Sequence, residues 1–264
     1  VAQKVAWTVL TGTLTGMGLL TTDHRGDGPD VVWLHGFTQT RATAEPFLSI
    51  LAGNHRIMTP DLPGHGDSAA VVASLEETAT LVQALRPPGL SSLGGYSLGG
   101  RVALHVALAQ PDTVRSLVLV STSMGIADDA LRRDRLRRDE ALAQRIRVIG
   151  VEAFLHEWRS LPLFSTTPDA AWGVRSRDGE GLASSLERAS VGGQAFLGPH
   201  LATLTMPVLL VYGTLDQKYA HAARAMADLL PNATLAPIEG AGHAVHLEQP
   251  ERVAAVVGAF LLNE

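Results

Sequence analysis

Gly95-Tyr96-Ser97-Leu98-Gly99 constrains this chain more than any other segment. The five residues fit the pattern G-x-S-x-G, in which a chain leaves a β-strand, turns sharply at an exposed serine and enters a helix. Small residues must flank the serine because the turn is tight and its backbone strained. The surroundings agree: an apolar run over 90–94 precedes the pattern and a helix-like run over 101–109 follows it. A bare five-residue match would equally suit a glycine-rich turn with an incidental serine. With those flanks it predicts that Ser97 sits at a helix N-terminus, where the dipole favours developing negative charge.

A strand-to-helix turn implies an alternating fold, and the rest of the chain alternates. Strand candidates are 31–35, 56–60, 90–96, 116–121, 207–212 and 234–238. Several are continuous apolar runs, as expected of parallel strands buried on both faces. Helical patterns fall between and after them at 42–52, 75–85, 98–110, 220–230 and 251–261. This reads as an α/β fold with a mostly parallel twisted sheet and helices on both faces. Residues 6–10 and 14–22 would form a leading antiparallel hairpin. The alternation breaks over 124–204, an arginine-rich helical stretch without convincing strands. It is expected to be a helical cap over the carboxyl end of the sheet, where such folds bind ligands. The core would then comprise 1–123 and 205–264. The alternative is a helical excursion packed away from the site.

Two later loops complete a chemical pattern. Asp216 follows the 207–212 strand in Gly213-Thr-Leu-Asp, and His243 follows the 234–238 strand in Gly240-Ala-Gly-His. Serine, acid and histidine in this order, each beyond a strand end, form a candidate triad of Ser97, Asp216 and His243. The histidine would take a proton from serine, and the aspartate would hold the imidazole tautomer and stabilise the imidazolium. His246 is the nearest competitor, one turn further on and without glycine flanks. His35-Gly36-Phe37 follows the 31–34 run, where a second oxyanion donor is expected, so the backbone N–H groups of Phe37 and Leu98 are the candidate oxyanion hole. His35 precedes Ser97 and is read as a buried structural histidine. Asp61-Leu-Pro-Gly-His65-Gly-Asp67-Ser68 is explained more simply by a Pro-Gly turn with side chains bonding backbone than by a metal cluster.

Composition narrows the partners. The net charge of -5 does not favour nucleic acid or an acidic membrane surface. With no cysteine, disulfides and thiolate chemistry are excluded, and a reducing cytoplasm is the default expectation. No apolar run is long enough for a membrane helix, and Val1 to Leu10 lacks the long apolar segment of a signal peptide.

On these residues the chain resembles the α/β-hydrolase superfamily over nearly its whole length. It is more closely similar to the 2-succinyl-6-hydroxy-2,4-cyclohexadiene-1-carboxylate synthases, lyases of menaquinone biosynthesis. Ser97-Leu-Gly-Gly-Arg101 places an arginine one turn into the elbow helix, as that family does. Arg135-Leu-Arg-Arg-Asp139 resembles its Arg-x-x-x-Asp at the start of the cap. Glu157-Trp158 followed by Leu161-Pro-Leu-Phe164 resembles its Trp and Pro-x-Phe segment. Gly213-Thr-Leu-Asp216-Gln-Lys218-Tyr219 resembles its acid loop, and Lys218 is one of two lysines in the chain. Ala241-Gly-His243-Ala-Val-His246-Leu-Glu248-Gln-Pro250 resembles its histidine loop, a pattern shared with other branches.

The resemblance implies substrate binding by Tyr96, Arg101, Arg135, Trp158 and Arg175. Arg177 is the alternative to Arg175, because the spacing shifts and Asp178-Gly-Glu replaces an expected asparagine. It implies a small-molecule substrate bearing several carboxylates, which guanidinium forks bind bidentately. It also implies no cofactor or metal, and a monomer or homodimer. The implied reaction is not hydrolysis. Ser97, polarised by His243, acts as a base on the ring proton beside the succinyl ketone, and the enolpyruvyl group leaves as pyruvate. Ten of the nineteen arginines lie between Arg132 and Arg177 among a similar number of acids, so most are expected to be solvated or locally paired. Two other readings stay open. One is a carboxylesterase, lactonase or carbon–carbon bond hydrolase with Ser97 as nucleophile. The other is a non-catalytic binding module, against which the complete triad argues.

Overall fold

A computed structural model describes residues 20–263. Its strands are β1 (Thr22–Arg25), β2 (Asp30–Leu34), β3 (Arg56–Pro60), β4 (Ser91–Tyr96), β5 (Val114–Val120), β6 (Val208–Gly213) and β7 (Ala233–Ile238). They form one sheet in the order β1-β3-β2-β4-β5-β6-β7. β1 is antiparallel to β3, and all other pairs are parallel. The expected leading hairpin over 6–10 and 14–22 lies outside the described residues except for its end, which runs into β1.

The helices are α1 (Glu45–Leu51), α2 (Leu75–Leu85), α3 (Leu98–Ala109), α4 (Asp129–Ile149), α5 (Val151–Arg159), α6 (Gly179–Arg188), α7 (Gln217–Ala227), α8 (Val245–Glu248) and α9 (Pro250–Leu262). Side chains alternate across a strand, and both faces of this sheet are covered. Val32, Leu34, Leu117, Leu119, Val208 and Leu210 pack with α2, α3 and α7. Val31, Trp33, Val118, Val120, Leu209 and Val211 pack on the other side with α1, α8 and α9. Neither set of positions reaches water, so the strands read as continuous apolar runs. No helix among the described residues is long and apolar enough to cross a membrane.

α4, α5 and α6 lie between β5 and β6 and form the cap. They have a small core of their own from Ala143, Ile146, Phe154, Leu155, Leu182 and Leu186. Phe37, from the loop after β2, packs against that core and so joins cap to sheet. Two boundaries differ from expectation. α7 starts at Gln217, three residues before the apolar pattern, because the Asp216 side chain accepts the Tyr219 N–H at 3.1 Å and caps the helix. α1 starts later than expected, after residues 40–43 fold into a turn in which the Thr43 hydroxyl accepts the Thr40 N–H at 2.9 Å.

Because β2, β4, β5, β6 and β7 are parallel, their carboxyl ends share one edge, and the loops holding Phe37, Ser97, Asp216 and His243 emerge there. Close contact between β2 and α3 sets where that edge lies. A side chain on Gly99 would run into the carbonyl groups of Leu34 and His35, and one on Gly95 into the backbone at Gly99. Gly99→Ala should therefore cost about 1–3 kcal/mol of folding stability by overpacking. Gly173→Ala, whose nearest neighbour is the Ala170 carbonyl at 3.7 Å, should be neutral or stabilising by about 0.4–1 kcal/mol. Urea denaturation of the two variants checks the contrast.

Candidate active site

β4 ends at Tyr96 and α3 begins at Leu98, so Ser97 alone turns the chain. It does so at φ 51° and ψ -106°, a conformation that costs a non-glycine residue about 1–3 kcal/mol. Neighbouring β5 and the loop that follows it hold it there. The Ser97 N–H donates to the Val120 carbonyl at 2.9 Å, and the Thr122 hydroxyl donates to the Ser97 carbonyl at 2.7 Å. The serine side chain then faces a cavity of about 780 Å³ between sheet and cap.

His243 lies on the same cavity wall and is 3% exposed. Its Nδ1–H donates to Asp216 Oδ2 at 2.7 Å. With Nδ1 committed to a carboxylate, Nε2 is the nitrogen left to accept a proton. The other carboxylate oxygen of Asp216 caps α7, so the acid is locked from two sides. Glu248 holds the histidine loop, accepting the N–H groups of Gly242 at 2.6 Å and Ala244 at 3.1 Å. Phe37 and Leu98 also line the cavity. The Leu98 amide is the first of α3 and has no intrahelical partner. The Phe37 amide makes no backbone hydrogen bond among the described residues.

Arg101, one turn after Ser97, lines the cavity. Its Nη2 donates to the Ala189 carbonyl at 2.7 Å and its Nη1 to Gln194 Oε1 at 3.1 Å. Neither partner is charged, and burial pushes the guanidinium down to about 10. Arg135 also lines the cavity, with Nε on Asp139 Oδ1 at 2.8 Å. Trp158 lies between Phe37 at 5.2 Å and Phe164 at 5.6 Å between ring centroids, giving the cavity an aromatic side. Tyr96 lines the cavity from below, its ring 5.2 Å from that of His243.

Arg175 is placed differently from the expectation that it binds substrate. It is absent from the cavity lining and buried, with its guanidinium 4.5 Å from the Trp172 ring and Nη1 on the Val174 carbonyl at 2.8 Å. Arg177 is exposed and pairs with Glu152. His246 is fully buried and stacks on Tyr96 at 4.4 Å, and it does not line the cavity. His35 is buried, donating from Nδ1 to the Gly36 carbonyl at 2.8 Å and accepting the Leu62 N–H on Nε2 at 3.0 Å. Asp61 and Asp67 pair with Arg41, and His65 Nδ1 donates to the Pro63 carbonyl at 2.9 Å. Sequence reasoning did not assign roles to Glu248, Lys218 or Tyr219. All three sit within the loop segments that carry the resemblance, so their positions were visible but their contacts were not.

These loops bring a serine, a histidine–aspartate pair and two candidate amide donors to one cavity, the arrangement of acyl-transfer and proton-abstraction enzymes. The sequence profile of the alpha/beta hydrolase family matches residues 31–256. This chain belongs to that family. Within the α/β hydrolases it is 34% identical to a 2-succinyl-6-hydroxy-2,4-cyclohexadiene-1-carboxylate synthase of Serratia proteamaculans, over 90% of this chain and 94% of that one. It is similar in structure to MenH from S. aureus, with a TM-score of 0.86, 29% identity, and coverage of 92% of this chain and 98% of that one. A thermophilic esterase from Thermogutta terrifontis, solved with malate bound, follows at TM-score 0.78 and 27% identity, covering 92% of this chain and 93% of that one.

Ser97→Ala, His243→Ala and Asp216→Asn should each lower kcat by a factor on the order of 10³ or more, and the double variants should lose little further. Steady-state kinetics on the single and double variants measure this.

The paired histidines behind Phe37 predict an acid-sensitive fold. Burial holds His35 down to about 4 and His65 down to about 3, against an ordinary value of 6.5. The unfolded chain takes up these protons first, so stability is intact above pH 6.5 and falls as pH drops toward 4. In urea titrations at pH 7 and pH 5, His65→Asn should lose less stability between the two than the unsubstituted protein.

Proposed function

We propose that this enzyme eliminates pyruvate from a polycarboxylated cyclohexene, the reaction named for its 2-succinyl-6-hydroxy-2,4-cyclohexadiene-1-carboxylate synthase relatives. The observation that carries the reading is Arg101, a guanidinium on the cavity wall whose side-chain partners are both neutral. A half-buried cation without a counter-ion among the described residues is costly, and an apolar ester pocket has no use for one. A substrate carboxylate would supply the missing charge. Most other cap arginines already have carboxylate partners, including Arg145 with Glu157 and Arg147 with Glu180 and Glu187. Arg135 engages its acid through Nε, and its two Nη groups make no hydrogen bond among the described residues. We assign Tyr96 and Trp158 to the substrate-facing wall and omit Arg175.

In this reading His243 Nε2 draws the proton from Ser97, and the serine oxygen removes the ring proton beside the succinyl ketone. The Phe37 and Leu98 amides stabilise the enolate oxygen. The enolate then expels the enolpyruvyl group, which takes up a proton and becomes pyruvate. Residues 124–204 act as the cap, and 1–123 with 205–264 as the catalytic core. The enzyme would work in the cytoplasm as a monomer or homodimer. The second reading is an esterase with Ser97 as nucleophile, favoured by the same triad and by the structural likeness to the Thermogutta esterase.

An assay of pyruvate release from the menaquinone precursor, run beside hydrolysis of a small neutral ester, separates the two. Arg101→Ala should lose on the order of 2–4 kcal/mol in kcat/KM for pyruvate release, and Arg101→Lys should recover only part of it. The loss on the neutral ester should be at least about tenfold smaller, since that substrate has no carboxylate to pair. Equal losses on both substrates would make Arg101 structural. Ester turnover without pyruvate release by the unsubstituted enzyme would leave the esterase reading.

A further inference from the structure

Tyr219 is placed with unusual definition for a residue at the start of a helix. Its backbone N–H is held by Asp216 Oδ1 at 3.1 Å, the oxygen of the triad acid that does not face His243. Its ring packs on the His243 imidazole with centroids 4.4 Å apart and planes inclined by 40°. Both sides of the acid–histidine pair thus fix one half-buried tyrosine on the cavity wall.

The charges around it are not balanced. Lys218 Nζ lies 5.1 Å from the centre of the Tyr219 ring, at the cavity rim, and makes no ion pair among the described residues. Tyr219 is also an electrostatic neighbour of Arg101, the guanidinium with only neutral partners. The other two cations on the wall, Arg135 and Arg138, have Asp139 and Asp134 as partners. Among the described residues, Arg101 and Lys218 are therefore the Arg and Lys side chains of the cavity wall without a carboxylate partner, and Tyr219 interacts electrostatically with the first and packs its ring under the second. Its hydroxyl makes no hydrogen bond to any described residue. A phenol fixed against His243, with Lys218 over its ring, Arg101 on the same cavity wall and no partner for its O–H among the described residues, is a donor awaiting an anion.

We propose that the Tyr219 hydroxyl donates a hydrogen bond to a substrate carboxylate, in a subsite that it forms with Arg101 and Lys218 beside His243. This deepens the lyase reading and rests on it for the identity of the substrate, though not for the existence of the subsite. The aromatic ring and the hydroxyl then have separate tasks. The ring supports the imidazole from the side, and the hydroxyl selects substrates that carry a carboxylate close to the reacting carbon.

The test uses Tyr219→Phe and Tyr219→Ala with two measurements. The first is equilibrium binding of succinate, a plain dicarboxylate probe, by calorimetry. The second is the kinetics of pyruvate release. A hydrogen bond to a charged group predicts that Tyr219→Phe weakens succinate binding about tenfold or more and raises KM by a similar factor. Tyr219→Ala should add a fall in kcat, because the support of His243 is gone. Unchanged succinate affinity and KM in Tyr219→Phe would overturn the proposal. So would a loss confined to kcat in that variant, or a failure of the unsubstituted protein to bind succinate at all. Absence of pyruvate release with succinate binding still dependent on the hydroxyl would defeat the lyase reading and leave the subsite standing.

Discussion

The site depends on one residue held in a conformation it would not choose. Ser97 sits at positive φ between the central strand and the helix that follows. Left alone, that turn would relax, since the strain is about 1–3 kcal/mol and local sequence offers nothing to offset it. The offset comes from across the sheet. β5 supplies the Val120 carbonyl, the loop after it the Thr122 hydroxyl, and the end of β2 the carbonyl wall against which Gly99 must be bare. Three strands and a helix thus converge on one turn, and the reward is a serine that projects into the cavity beside a free helix N-terminus.

Charge is distributed according to burial. On the outer cap, arginines lie against carboxylates one helical turn away or on the next helix, where such pairs are worth little and keep the surface solvated. On the cavity wall Arg135 and Arg138 keep carboxylate partners, and Arg101 is the exception among the described arginines there. Among the described residues Arg101 has an amide oxygen and a carbonyl as its side-chain partners, which accept two of its N–H groups without neutralising its charge. Such an arrangement lowers stability in the empty protein and favours an anion when one arrives. Arg175 is the instructive contrast. It also lacks a carboxylate partner among the described residues, but it is buried and lays its charge against the face of Trp172 instead of at the cavity.

The cap and the triad are mechanically linked. Phe164, from the cap, comes within 5.9 Å of the His243 ring between centroids, and the Thr167 hydroxyl donates to Glu248 at 3.3 Å. Glu248 in turn clamps the backbone on both sides of His243. The histidine is therefore positioned partly by its own loop and partly by the element that covers it.

Much of this was legible in the residues alone. Continuous apolar runs gave away parallel strands because both faces of the sheet are covered, and glycines around Ser97 marked the elbow because no larger residue fits there. The order of Ser97, Asp216 and His243 was readable because each follows a strand, and parallel strands deliver their loops to one edge. Local pattern could not say which arginines find partners, since Arg101 meets Ala189 and Gln194, and these lie about ninety positions away. Nor could it place Arg175, whose direction depends on where Trp172 packs, or reveal that Asp216 both orients His243 and anchors Tyr219. Hydrophobic period and turn chemistry act over a few residues and are written in the sequence. Pairing, burial and the balance of charge in a cavity depend on distances between remote segments, and only the folded chain sets those.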